Sequence, residues 1–404
     1  MIRLAWRNVW RNFRRSLITT SSMGCGLAAI MFGQSMIKSE QHQLIEKATG
    51  SITGHIQIQH RMIKEYKFPD RYIDDPAPID AILAKMPGVK AFGQRINITG
   101  LVSSPAGSVG TLICAVQPDK EVQVTSMAGY IKQGEFLGKH PKGIVMGDKL
   151  AQRLEVRMGE KVVVMAQAED GSMGAEAFRV VGIYHTGSVS FDGQIIYIPL
   201  AAAQELLVAG VKVNQFVARL DEIDEADHIQ VELSAKVSGK PVQVLTWKNV
   251  DHEIVSIQKF QNGLLDVVLL IIFSIVALGI LNTLLMSIFE RIREFGVLMA
   301  LGARPRWILK LVLLESVILA MVGTAFGLAA GSLLILYFGR VGLPLPIGDA
   351  LSYFLPFPSV IFLAFTWPGH LFAAASVLVA AVLAAIAPAL RACRLRPAEA
   401  LRHV

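Results

Sequence analysis

The chain has 404 residues, 53% of them hydrophobic and only 18% charged, with a mean hydropathy of +0.48. Soluble domains usually carry about 25% charge, so a wholly soluble protein is excluded. The net charge of +7 gathers in short flanks of apolar runs, where it reads as membrane topology and not as a nucleic-acid surface.

Arg3, Arg7, Arg11, Arg14 and Arg15 precede the first apolar run, Leu17–Ile37. Residues 1–16 are expected to form an amphipathic lead-in helix. About 20 apolar residues span ~30 Å of hydrocarbon as a helix, and this run meets that length. It is long for a signal core and lacks an A-x-A site. Ser22-Met23-Gly24-Cys25 faintly resembles a lipoprotein cleavage box. It continues into Gly26-Leu27-Ala28-Ala29-Ile30, so Cys25 is read as a packing residue and cleavage is not expected. Ser39–Thr49 is polar but helix-forming, and 17–49 is expected to be one span plus stalk of about 50 Å.

Residues 50–250 change character. Ile52–His60, Ala91–Val102, Thr111–Val116, Lys161–Gln167, Phe178–Tyr184, Ile195–Ile198, Asn214–Leu220 and Val242–Thr246 read as strands. Pro78–Met86, Leu200–Val208 and Glu222–Val237 read as helices, and Gly143–Leu154 as a turn into a helix. Glu169-Asp170-Gly171-Ser172 marks a hairpin tip, and Pro69–Pro78 a linker or loop. His42, His55 and His60 lack ligand-like company, and His185 lacks a nucleophile elbow, so neither metal nor catalysis is expected. Cys114 is the lone cysteine of this region, which excludes an internal disulfide there.

A second span with its stalk, 251–289, follows, and Ile254, Ile257 and Phe260 recur at helical spacing before it. Residues 290–306 form a short charged loop with helical pattern, in which Ile292, Phe295, Leu298, Met299 and Leu301 make an apolar face. Gly296 and Gly302 permit close approach or a turn. A third span, 307–337, carries Gly323, Gly327 and Gly331 at spacing four, a smooth groove for another helix, and Glu315 near one end. Residues 338–370, broken by Pro344, Pro346, Pro356, Pro358 and Pro368, read as an interfacial or re-entrant hairpin, with a fifth span as the alternative. A fourth span, 371–390, and a basic tail, 391–404, complete the chain.

The fold class expected is an α-helical membrane protein of four transmembrane helices with a large mixed α/β extracytoplasmic domain inserted between the first and second spans. Basic residues put the N-terminus, the 290–306 loop and the tail in the cytoplasm. Lys38–Asn262 holds 24 Lys/Arg against 26 Asp/Glu, as expected outside. No G-x-x-x-x-G-K-[ST] occurs, so no phosphate-binding loop is present in the sequence.

Glu290–Ile308 (E-R-I-R-E-F-G-V-L-M-A-L-G-A-R-P-R-W-I), Leu311–Ser316 (L-V-L-L-E-S) and Pro388–Arg402 together resemble the signature of the FtsX/MacB permease superfamily of ABC transporters. Leu4–Ser16 resembles its lead-in helix. Arg179–Ser188 and Tyr197–Leu207 are similar to outer-domain pieces, and the layout, with Thr246–Asn262, is closest to lipoprotein-releasing LolC/LolE permeases. The resemblance implies a mechanotransmission transporter in the bacterial inner membrane with a two-lobed periplasmic module. It implies a homodimer or a heterodimer with a related permease, and a separate ATPase subunit that binds ATP and magnesium. This chain binds no cofactor itself.

The coupling helix would be Glu290–Gly302, with Glu290, Arg291, Arg293, Glu294, Phe295, Gly296, Leu298, Leu301 and Gly302 at the ATPase. A periplasmic carrier protein is a further partner, although the tract matching the LolC-type chaperone hook, Gln167–Phe178, is short and has no proline. Cargo, lipid-anchored or amphipathic, is expected at the outer halves of the first two spans: Ala29, Phe32, Gly33 and Met36, with Leu264, Leu265, Asp266 and Val268. The alternatives are an exporter of peptides or small amphiphiles and a non-transporting regulator of a periplasmic hydrolase.

Overall fold

A computed structural model describes residues 1–11, 13–62, 71–344 and 360–393. The chain divides into two compact units, one of residues 1–41, 258–344 and 360–393, the other of residues 42–257. Four of the described helices are long and apolar enough to cross a membrane, at Ser16–Thr53, His252–Glu290, Pro305–Val341 and Trp367–Arg391.

The helical unit begins with α1 (Ile2–Arg11). Ala5 and Val9 are buried, while on the exposed side Trp10 stacks on the following Phe13 and meets Trp6 at a tilt, with ring centroids 5.7 Å apart in each pair. Aromatic and basic residues on one short amphipathic helix suit a membrane interface. The next helix, α2, is unbroken from Phe13 to Ala48, as the polar but helix-forming Ser39–Thr49 predicts. It ends in a π turn, Thr49–Thr53, and at Gly54, whose φ of +62° carries the chain into the α/β unit; a Cβ there would lie 2.2 Å from the Val217 side chain.

The α/β unit contains β1 (Ile56–His60), α3 (Ala77–Leu83), β2 (Val89–Ser104), β3 (Gly107–Val116), α4 (Pro118–Val124), β4 (Ile131–Gly134), β5 (Gly143–Gly147), α5 (Asp148–Arg153), β6 (Lys161–Gln167), β7 (Met173–Tyr184), α6 (Val189–Gln194), β8 (Ile195–Pro199), α7 (Leu200–Leu206), β9 (Gln215–Leu220), α8 (Ala226–Lys236), β10 (Val242–Thr246) and α9 (Trp247–Val250). The strand order is β10-β1-β9-β2-β3-β8-β5-β7-β4, and β6 pairs with both β2 and β7. That double pairing closes β2, β3, β8, β5, β7 and β6 into a ring. β10, β1 and β9 continue outward from β2 as an open wing. The 16-residue β2 serves both: its first half pairs with β9 and its second with β3 and β6.

Strand residues alternate between two cores. Ile113 and Ala115 of β3 join the larger cluster with Ile96, Phe178 and Ile198; Leu112, Cys114 and Val116 join a second with Tyr184 and Tyr197. With both faces buried, β5 and β8 lose the polar alternation of a half-exposed strand. Gly143–Gly147 is therefore a strand where a turn was expected; α4, α6 and β4 were likewise not anticipated. Residues 168–172 join β6 to β7 in a tight hairpin, with Gly171 at φ +85° and Asp170 accepting from the Ser172 N–H at 2.9 Å. The tract compared with a chaperone hook is thus this turn and the start of β7.

The remaining helices are α10 (His252–Glu290), α11 (Ile292–Ala300), α12 (Pro305–Val341) and α13 (Trp367–Cys393). The glycine groove of α12 packs on α2. A Cβ at Gly327 would lie 2.8 Å from the Gly24 carbonyl oxygen and 2.8 Å from Leu27 Cβ, and one at Gly323 2.9 Å from Met23 Cβ. Small residues here let two backbones approach. Beyond α12, Leu343–Pro344 pairs antiparallel with Val360–Ile361, two short strands β11 and β12. The tip of the expected 338–370 hairpin lies outside the described residues, as does the tail from residue 394.

Candidate functional site

The segment between α10 and α12 is built by three local breaks. Arg291 leaves helical geometry at φ −113°, ψ 14° and separates α10 from α11. At the other end, the Ala303 N–H donates to the Leu298 carbonyl at 2.9 Å and the Gly302 N–H to the Met299 carbonyl at 3.0 Å, with Gly302 at φ +91°. This paired closure is a glycine-terminated helix end. Pro305 then opens α12, where its missing N–H costs nothing.

The helix so delimited sorts the expected residues by burial. Phe295 is 1% exposed and packs with Ile292, Ile308, Leu311 and Val312. Arg291 and Gly296 are buried and Leu298 is half-buried against the same cluster. Glu290, Arg293, Glu294, Leu301 and Gly302 are exposed, Leu301 at 80%. The apolar face read from the sequence is therefore divided. Phe295 anchors α11 to its own chain and is not an outward-facing contact, because α12 supplies the surface that covers it. Arg293, Val297 and Leu301, four apart, present the opposite stripe.

Charges hold this seat in place. Arg291 Nη1 donates to Glu315 at 2.9 Å (Oε1) and 3.2 Å (Oε2), and its Nε to Glu294 Oε2 at 2.9 Å. Asn8 Nδ2 donates to Glu315 Oε1 at 2.7 Å, and Arg11 Nη2 to Glu294 Oε1 at 2.9 Å. Arg291 also lies 5.1 Å from the Phe295 ring centroid, a cation–π contact. Thus α1, α11 and α12 meet in one network. Burial alone would raise the Glu294 pKa; hydrogen bonds from Arg291 and Arg11 outweigh it and hold the carboxyl below its ordinary value. Glu315 could be found in the sequence, as a carboxylate near the end of a span; its partners Asn8 and Arg291 could not.

The residues expected near cargo are placed by α2 and α10, which run antiparallel. Gln41 donates to Gln261 at 3.1 Å, and Thr19 to Thr283 at 2.9 Å near the far end. Met36 therefore stands level with Leu265 and Asp266. Phe32 turns to Phe338, edge-to-face at 5.7 Å. Space in front of Gly33 is open, since an added Cβ would meet nothing within 4 Å. Leu264 and Val268 are exposed at 55% and 42%, Ala29 and Asp266 are exposed, and Met36 and Leu265 are half-buried.

In the α/β unit, His185 Nδ1 lies 2.9 Å from Asp148 Oδ2 and 3.3 Å from Asp192 Oδ2. Among the described residues these three are the group whose donor atoms, all within 4.8 Å of one another, could hold a metal ion. The Asp192 oxygens already accept from the Thr186 N–H and hydroxyl at 3.0 and 2.7 Å, which fixes the loop before α6. A buried ion pair escaped sequence reading altogether. Arg95 and Glu121 are 0% and 1% exposed; Arg95 Nε donates to Glu121 Oε2 at 3.1 Å, and its Nη1 donates to the Ile52 carbonyl.

Residues 16–236 match the family model of the MacB-like periplasmic core domain, and residues 267–397 that of the FtsX-like permease C-terminal domain. The chain is 22% identical to the lipoprotein-releasing system transmembrane protein LolC of Xylella fastidiosa, over 71% of this chain and 72% of that one. It is 23% identical to the ABC transporter permease YvrN of Bacillus subtilis, over 100% and 99%. It is 22% identical to the macrolide export ATP-binding/permease protein MacB of Psychrobacter arcticus, over 96% of this chain and 57% of that one. With the first model alone covering more than half of its length, the chain belongs to the FtsX/MacB family of ABC transporter permeases.

Proposed function

We propose that this chain is the membrane subunit of a mechanotransmission-type ABC transporter. A separate ATPase subunit, carrying ATP and magnesium, docks on the exposed stripe of α11. Its closure moves a pair of permeases, like or related, in the bacterial inner membrane. The α/β unit then lies on the periplasmic side, and the work extracts or moves a lipid-anchored or amphipathic cargo there, with a periplasmic carrier protein as a further partner.

The observation that carries this reading is the seating of α11. A nine-residue helix is fixed to α1 and α12 by a buried carboxylate, yet keeps Arg293, Glu294, Val297 and Leu301 outward. A helix held rigidly on one side and bare on the other can pass force from a docked partner into the spans. Its use as an ATPase handle also accords with the MacB relative, an ATP-binding/permease protein that joins both functions in one chain.

The test is reconstitution in vesicles. The chain alone should not turn over ATP. With its cognate ATPase it should release an acylated cargo in an ATP-dependent way, and Glu294→Lys should abolish release while leaving insertion intact. Turnover by the partner-free chain would refute the assignment. Retention of a folded hydrolase, without any cargo release, would favour the regulator.

A further inference from the structure

Three ligand-type side chains meet at one end of β7, where no metal is expected from the sequence. Asp148 is the first residue of α5, His185 follows β7, and Asp192 stands on α6. Gly147 makes the meeting possible. A Cβ there would lie 2.1 Å from the Asp192 carbonyl oxygen and 2.5 Å from the Asp192 Cα, so only glycine lets the start of α5 touch α6 so closely. The His185 backbone N–H donates to the Tyr130 carbonyl at 3.0 Å, which ties the third residue to the chain just before β4.

The distances suit one shared cation. Zinc binds imidazole nitrogen and carboxylate oxygen at about 2.0–2.2 Å, so two such donors on one ion stand roughly 3.0–3.5 Å apart. His185 Nδ1 is 2.9 Å from Asp148 Oδ2 and 3.3 Å from Asp192 Oδ2, and donor atoms of all three lie within 4.8 Å of one another. Yet His185 Nδ1, itself buried, has no hydrogen-bond partner among the described residues, and neither does the buried Asp148 Oδ1. Polar atoms buried in this way are ordinarily paired. The two oxygens flank the axis of the ring nitrogen and do not lie on it, as they would around a cation placed on that axis. Asp192, 1% exposed, accepts from the Thr186 N–H at 3.0 Å, the Thr186 hydroxyl at 2.7 Å and the Gly187 N–H at 3.3 Å. Ligating carboxylates ordinarily have such outer-shell support.

We propose that Asp148, His185 and Asp192 bind a divalent transition-metal ion, with zinc the best match. A neutral imidazole and two carboxylates present two negative charges, which one such ion cancels. The imidazole nitrogen favours zinc over magnesium and calcium, which prefer oxygen ligands. The His185 and Asp148 side chains are 42% and 29% exposed, so the ion can enter from solvent and keep water in a remaining position. Once bound, it clips α5, the loop after β7 and α6 together. The site lies wholly within the α/β unit and goes beyond the transport reading, because it requires neither the ATPase nor a cargo.

Binding is measured on the tag-free, chelator-stripped full chain in phosphatidylcholine nanodiscs, as zinc competition with the indicator mag-fura-2, with empty nanodiscs as the blank. About one zinc ion per chain should bind, at micromolar affinity or tighter. His185→Ala and Asp148→Asn, both at partly exposed positions, should each weaken binding about tenfold or more. His140→Ala, at an exposed histidine outside the cluster, should leave it unchanged. Zinc should also raise the thermal midpoint of the wild type and not that of His185→Ala. Should one of the two ligand variants fail to fold, the other decides the matter. Absence of zinc binding above the blank, wild-type affinity in a folded His185→Ala or Asp148→Asn, or equal weakening by His140→Ala would each overturn the proposal.

Discussion

Arg291 and Glu315 are 24 residues apart in sequence and form a buried bidentate pair, with Nη1 2.9 and 3.2 Å from the two carboxylate oxygens. Each side chain is 8% exposed. Removing one partner of such a pair strands the other charge away from water, which costs about 3–5 kcal/mol. Glu315→Ala should therefore lower the thermal midpoint of the purified permease markedly. Glu315→Gln, which keeps an oxygen for Asn8 and Arg291, should lower it less. The double change Arg291→Met with Glu315→Leu should recover much of the loss, since well-packed apolar pairs replace buried ions at little cost. Equal midpoints for wild type and Glu315→Ala would show that the pair contributes nothing to the seat.

The second prediction separates packing from docking on α11. Phe295→Ala removes a fully buried ring and should cost about 3–5 kcal/mol of stability, whatever its effect on transport. Leu301→Ala removes an 80% exposed side chain and should leave the midpoint unchanged. If Leu301 is a docking hot spot worth ~2 kcal/mol, its loss weakens ATPase binding roughly 30-fold. The check is ATPase affinity and unfolding midpoint measured on both variants. Unaltered affinity in Leu301→Ala, Val297→Ser and Glu294→Lys together would remove α11 from the docking surface.

Long elements were readable because their signal is long. The α2 span and its polar extension announced one helix, and Val242–Thr246 and Lys161–Gln167 fall on the observed strands. Short segments buried on both faces were not: Gly143-Ile144-Val145-Met146-Gly147 shows no alternation, and its glycines read as a turn. The site was half legible. The charged loop between spans marks α11, but which side is covered depends on α12 and α1, and only the fold brings Asn8 to Glu315. Arg95 defeats composition rules for the same reason. An arginine in a strand reads as exposed, and its partner Glu121 lies on a separate helix, α4.

Acid should loosen the open wing of the sheet. His55 Nδ1 accepts the Leu220 N–H at 3.1 Å, a bond that an imidazolium cannot accept. Burial, assisted by the charge of Arg219, lowers its pKa from 6.5 to about 4. Between those values the unfolded chain binds more protons than the native one, so stability falls as pH falls from about 6.5 and levels off near 4. The full shift corresponds to roughly 3 kcal/mol; solvent screening at this half-buried ring reduces it to about 1–2 kcal/mol. Hydrogen exchange at residues 215–220 in the intact chain, corrected for intrinsic rates, should show protection declining between pH 6.5 and 5. His55→Asn, whose amide oxygen can accept in place of Nδ1, should flatten that slope. Identical slopes would locate the acid sensitivity elsewhere.

The last prediction concerns cargo along the first two spans. The antiparallel register of α2 and α10 sets Met36 level with Leu265, but the individual side chains differ in reach. Phe32 is engaged with Phe338, so a photo-crosslinker there should mainly report α12 of the same chain. Gly33 opens onto free space, and Leu264 is 55% exposed. A crosslinker at either position points outward, toward whatever enters sideways from the bilayer. If cargo lodges between the outer halves of these helices, Gly33 and Leu264 should both give cargo adducts in the nucleotide-free transporter. Those adducts should disappear upon ATP turnover, and Met36, polarizable and adaptable, should tolerate Leu with little loss of transport. Adducts with lipid alone at both positions would mean that cargo never occupies this zone and that these side chains serve only as the lipid-facing surface of the spans.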